Sequence, residues 1–142
     1  MSYSLAFSQS LFLVLYVASK VEHGTYEFTP TLKISQDLNI PPSTAGMLLR
    51  RLIRVGLIES REGANGGVRL KLPPEQISVL DIFTAIEQER PLFQTNVQLN
   101  VSGEKVTKVQ QTILATLGDA EQAMKHSLRT VTIRDLMKTV AQ

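Results

Sequence analysis

The sequence predicts a mostly α-helical protein with one small β-hairpin: a compact helical domain that carries the hairpin, followed by one long helix. Three observations lead there. Apolar residues recur at helical spacing through most of the 142 residues. The period shortens from 3.6 to 2 only across residues 57–72. That alternating stretch is interrupted by Gly63, Asn65, Gly66 and Gly67, the composition of a tight reversal between two strands.

Taken in order, residues 5–20 read as a helix with no breaker before Gly24. Their most apolar part, LFLVLYVA at 11–18, has no basic region before it and no small-residue cleavage site after it, so it reads as a core helix rather than a signal peptide. No apolar run approaches 18 residues, and no membrane span is expected. Thr29-Pro30 reads as a helix start, Thr capping and Pro at the first helical position, with Ile34 and Leu38 on the inner side of the short helix that follows. Pro41 and Pro42 interrupt the chain before a new helix over 43–55. On that helix Ala45, Leu48, Leu49, Leu52 and Val55 share one face, and Ser43, Thr44, Met47, Arg50, Arg51 and Arg54 share the other. Gly56 stands where a left-handed cap is wanted.

Strands are predicted at 57–61 and 68–72, with Val68, Leu70 and Leu72 alternating with Arg69 and Lys71. Asn65-Gly66, both tolerant of positive φ, is the expected turn. After Pro73-Pro74, Ser78 and Asp81 form a capping box with Ile77 and Ile82 as its staple, opening a helix to about residue 88. Residues 91–103 lack a period. Beyond them Val106, Val109, Ile113, Leu117, Ala120, Met124 and Leu128 trace one narrow stripe along a long helix otherwise mostly polar. Thr132 with Asp135, and Val131 with Leu136, cap and staple a last short helix. The chain thus divides into a domain at 1–90, a connecting loop at 91–104, and a long helix with its short successor at 105–142.

Several chemistries are excluded. Without cysteine there is no disulfide framework, thiolate metal site or thiol redox chemistry. His23 and His126 stand far apart, with no metal-binding spacing around either. No serine sits in a nucleophile-elbow motif, and Glu87 and Glu89 read as solvated charges near a helix end. The glycines at 63–67 have neither P-loop nor dinucleotide-fold spacing, and a strand follows them. No catalytic residue, cofactor or metal site is predicted, and a cytoplasmic location follows by default.

Charge is informative once divided. Residues 1–72 carry eight Lys/Arg and five Asp/Glu, a balance of +3, whereas residues 73–142 carry seven and eight, a balance of −1. Six cations fall within 43–71: Arg50, Arg51, Arg54, Arg61, Arg69 and Lys71. Three lie on one helix face, and Arg61 and Arg69 flank the glycine-tipped hairpin. Helix, short helix, proline-marked turn, basic-faced helix and hairpin, in that order, make a winged helix-turn-helix. The basic-faced helix suits the major groove of a DNA duplex, and a tip without bulky side chains can approach the backbone. The alternative is a dimeric adaptor that uses the same fold for protein contacts alone.

The residues IPPSTAGMLLRRLIRVGLIES at 40–60, Gly63-x-x-Gly66-Gly67, and ISVLDIFTAIE at 77–87 resemble the Rrf-two family of bacterial transcription regulators, which includes IscR, NsrR and CymR. The likeness extends through the long helix to Thr132–Leu136. It implies a homodimer joined by the long helices and bound to a roughly palindromic operator; the reading taken from the whole sequence is a dimeric, sequence-specific DNA-binding repressor. It matches Ser43, Thr44, Met47, Arg50 and Arg51 to recognition-helix positions and Asn65, Gly66 and Gly67 to the wing tip. Cluster-binding members carry three cysteines before the long helix; residues 91–104 have none, so the resemblance is to a cysteine-free branch without an iron–sulfur cluster. Many members carry basic residues in their first ten positions, where this chain has Ser2, Ser4, Ser8, Gln9 and Ser10.

Overall fold

A computed structural model describes residues 5–88 and 90–140; Ser2, Ser4 and Glu89, singled out above, lie outside them. The first helix, α1 (Leu5–Glu22), is followed by α2 (Thr31–Leu38) and α3 (Pro42–Arg54). Strands β1 (Ile58–Arg61) and β2 (Gly67–Leu70) form an antiparallel hairpin in the register Ile58↔Leu70 to Arg61↔Gly67. A 3-10 turn (Pro74–Gln76) leads to α4 (Val79–Glu87), and then come α5 (Glu104–Arg129) and α6 (Ile133–Val140). The fold class is the predicted one.

The core gathers the inner faces of these elements. Leu13, Val14, Val17 and Ala18 of α1 meet Ile34, then Leu48, Leu49 and Leu52 of α3, Ile58 and Val68 of the hairpin, and Ile82, Ala85 and Ile86 of α4. Phe7 and Phe83 pack edge to face with centroids 5.2 Å apart. As an 18-residue helix of mean hydropathy 1.2, α1 is long and apolar enough to cross a bilayer, although no unbroken apolar run in the sequence approaches that length. Here it is the central core helix, against α2, α4, α6 and β2. Ile133 and Met137 of α6 are buried in this same core, although α6 follows α5 in sequence. Arg134 secures it there, donating to Glu22 at 2.6 Å and to Glu75 at 3.1 Å.

Local stops follow chemistry legible in sequence. Gly56 (φ 81) ends α3 in a Schellman arrangement, Leu57 N donating to Leu52 O and Gly56 N to Ile53 O. Ser78 and Asp81 exchange both bonds of a capping box, as do Thr132 and Asp135. Ile77 and Ile82, the staple, are fully buried.

Four local expectations are corrected. Thr29 does not cap α2; the N-cap is Pro30, and Thr29 instead exchanges two backbone bonds with Val68, at 2.7 and 2.9 Å. That bridge pins the chain before α2 to the hairpin. Val55 is not on the core face: α3 ends at Arg54, and Val55, its C-cap, is 52% exposed. Leu72 lies beyond β2 and is partly exposed. Glu87 is buried, not solvated, and forms an ion pair with Arg90 at 2.5 Å.

Candidate nucleic-acid interface

Helix α3 begins at a proline pair because Pro42, at the first helical position, lacks only an N–H that would have no intrahelical partner there. Its buried stripe fixes what faces outward. Ser43, Arg50 and Arg54 are exposed, and Thr44 and Met47 are half-buried. Arg50 and Arg54 make no ion pair among the described residues. Arg51 stands apart from them: half-buried, it donates from Nη1 to Ile86 O at 2.8 Å. Ile86 is in the last turn of α4, where carbonyls lack intrahelical donors and the helix end is partially negative. One Arg51 guanidinium N–H is thus committed to joining α3 to α4.

The hairpin's cations are more constrained. Phe28, just before the bridge at Thr29, has two guanidiniums over its ring, with Arg61 Cζ 4.2 Å and Arg69 Cζ 4.3 Å from the ring centroid. Arg69 also donates to Glu59, its directly opposed cross-strand neighbour, at 2.8 Å. Glu27 Oε1 is shared by both arginines, 3.4 Å from Arg61 and 3.6 Å from Arg69. Arg61 donates in addition to Asn65 O at 2.7 Å. The two arginines, Glu27 and Glu59 together carry no net charge.

The turn differs from the expected one. Asn65 and Gly66 do not adopt positive φ; Gly63 (φ 103) and Gly67 (φ 146) do. Gly66 N donates to Gly63 O at 2.9 Å, so the reversal is a four-residue turn with Ala64 and Asn65 at its centre. Gly66 is required for another reason, since a Cβ there would lie 2.3 Å from Arg61 O. At Gly67 a Cβ would lie 2.1 Å from Thr29 O, because the bridge to Val68 brings the two backbones together.

Between α3 and the hairpin runs a groove of about 550 Å3, bordered by Leu32, Gly46, Ile53, Gly63 and Gly67. Sequence reasoning missed Leu32, Gly46 and Ile53. Leu32 is 62% exposed and Ile53 37%. The available signal was a pair of apolar residues off the core stripes of their helices, together with a glycine inside α3.

Of the α5 stripe, Val109, Ile113 and Ala120 are exposed, and Val106, Leu117, Met124 and Leu128 are intermediate. None of its 26 residues is buried. Leu114, 49% exposed beside Ile113 (52%), widens the apolar face beyond the predicted stripe.

A profile described as Rrf2, an iron-dependent transcriptional regulator, matches residues 4–139. YffB of Lactococcus lactis subsp. lactis, described as an HTH-type transcriptional regulator, is 28% identical over 135 residues, spanning 94% of this chain and 85% of its own. YwgB of Bacillus subtilis, described likewise, is 32% identical over 101 residues, 66% of this chain and 64% of its own. Among solved structures, CymR of B. subtilis, described as the global cysteine regulator, matches with a TM-score of 0.68 at 24% identity, over 98% of both chains. IscR of T. potens matches with a TM-score of 0.70 at 20% identity, over 99% of this chain and 88% of its own. These two likenesses are of fold.

The iron in that profile's description calls for a donor set that this chain does not offer. It has no cysteine, and its only two histidines, one just after α1 and one in α5, are both exposed. Among the described residues, no three His, Cys, Asp or Glu side chains gather. The residues present do not fit an iron–sulfur cluster.

Proposed function

Because this chain belongs to the Rrf2 family of transcriptional regulators, we propose that it is a cytoplasmic repressor that binds a palindromic DNA operator as a homodimer and uses no iron cofactor. The observation that carries this reading is the outer face of α3, where Arg50 and Arg54 are exposed and, among the described residues, make no ion pair. A helix presenting such a face fits the major groove, with Ser43, Thr44 and Met47 toward base edges. Arg50 reaches a guanine edge or a phosphate, and Arg54, farther along, a phosphate. Two copies related by a two-fold axis would set their α3 helices on successive major-groove faces, about one helical turn or a multiple of it apart. Repression follows from exclusion, as a dimer on its operator occupies duplex that other proteins would need.

Selection of bound duplexes from a random pool tests the reading directly. The expected product is a palindromic consensus whose affinity falls steeply with salt as condensed counterions are released. Treatment with an iron chelator is expected to leave that affinity unchanged. No enrichment, with weak binding insensitive to salt, would favour the protein-contact adaptor.

A further inference from the structure

The hairpin's two arginines look suited to phosphate, yet both already face carboxylates. Glu59 and Glu27 hold them differently. Glu59 lies in register with Arg69 across the strands and is 2.8 Å from its Nε, a charge-assisted bond that fixes that side chain. Glu27 comes from the segment before α2, and its one oxygen divides itself between two guanidiniums at distances beyond a good hydrogen bond. Its side chain is 66% exposed. An exposed, divided contact of this kind contributes little to stability and is readily exchanged.

We propose that Glu27 is a carboxylate gate that competes with DNA phosphate for Arg61 and Arg69, so that the wing engages the duplex only when a phosphate takes the carboxylate's place. The inference rests on the DNA-binding reading above. Two features prepare the exchange. Phe28, nearly buried, has both guanidinium carbons within 4.3 Å of its ring centroid, a cation–π contact that does not depend on Glu27 and keeps the two side chains in place after the carboxylate turns away. A cleft of about 360 Å3 bordered by Glu27, Arg61 and Asn65 gives an anion room beside them without backbone movement. Arg61, whose other bonded partner is a neutral carbonyl, becomes the principal phosphate contact; Arg69 stays bound to Glu59. The gate sharpens discrimination, since only a duplex already seated on α3 presents a phosphate close enough to displace the carboxylate.

The test uses full-length protein and a duplex selected from a random pool, titrated across salt concentrations. Glu27→Gln keeps the side chain's shape, and its exposure argues that the variant folds. It is expected to bind roughly twofold to fivefold more tightly, as an exposed ion pair no longer has to be broken. In the wild type, phosphate displaces the carboxylate and the anion exchange leaves fewer counterions to be released than a fresh contact does. The variant's salt slope should therefore steepen by about one, the increment of a single added phosphate contact. Both gains should vanish when Arg61→Gln and Arg69→Gln are added. A Glu27→Gln variant with wild-type affinity and slope overturns the gate, as does a gain that persists without the arginines. Wild-type binding that Arg50→Ala weakens in the same titration keeps the DNA reading standing if the gate fails; a wild type with no salt-dependent binding removes both.

Discussion

Arg50 and Arg51 are adjacent in sequence and opposite in circumstance. Both lie on the polar side of α3 by periodicity, yet among the described residues Arg51 alone of the two is bonded to another element, through Ile86 O at a sequence separation of 35. Arg50→Ala is expected to leave unfolding unchanged and to weaken operator binding by about 1–3 kcal/mol if the contact is a bidentate one to guanine. Arg51→Ala is expected to lower stability by about 1–3 kcal/mol, because a charged donor is lost and a helix-end carbonyl is left without it. Urea denaturation beside duplex titration separates the two; unchanged stability with lost affinity in Arg51→Ala would put that guanidinium in the groove instead. The helix period made the polar face legible, but only the fold brings the end of α4 to one of its members. Gly66 teaches the same lesson. Asn-Gly signalled a reversal correctly, while the reason for the glycine is the backbone of Arg61, 2.3 Å from where a Cβ would sit. Even Gly66→Ala is therefore expected to cost on the order of 1–3 kcal/mol by overpacking, read as a lowered unfolding temperature. A full-stability alanine variant would show that the turn can open without penalty.

At the scale of elements, helix ends written in local chemistry were legible. The Ser78 and Thr132 boxes and the Gly56 cap need only residues within a turn of one another. Contacts between elements were not, and the Thr29 bridge displaced a cap that local rules favoured. The junction of α1 and α2 is another such contact: Tyr16 donates its hydroxyl to Asp37 at 2.5 Å. Burial first, and then this bond, push the Tyr16 phenol from 10.0 up to about 12. Asp37 is held below its ordinary range, chiefly by the same bond. The signs follow. A raised phenol contributes stability in full below pH 10.0 that is lost as pH rises through about 12. A depressed carboxylate contributes stability above its ordinary value of 3.8 that is lost as pH falls through the folded value. Tyr16→Phe is expected to flatten both limbs of the stability profile, measured by denaturant midpoints from acid to alkaline pH. Identical profiles for variant and wild type would mean the bond does not link the helices in solution.

For the molecule as a whole, the question is what α5 is for. None of its 26 residues is fully buried, and Val109, Ile113 and Leu114 remain exposed on its apolar face; exposed apolar side chains gathered in this way mark an interaction site. Its C-terminal part is tied down: Leu92 N donates to Glu121 at 2.5 Å, and α6, which follows, buries Ile133 and Met137 in the core. Anchored in this way, α5 is carried by the folded domain and presents Val109, Ile113 and Leu114 outward. The commonest solution for such a face is a second copy of the chain about a two-fold axis, and a palindromic operator has that same symmetry. Replacing Ile113 and Leu117 together by glutamate sets unpaired charges where two copies would meet, and burying them there is costly. The double variant is expected to run as a monomer by light scattering and to lose binding to a palindromic duplex. Because α6 contributes to the core independently of that face, the helical signal and unfolding of the domain should persist. A variant that remains dimeric would move the seam off this stripe, and one that becomes monomeric yet binds the palindrome as before would separate dimerisation from operator recognition.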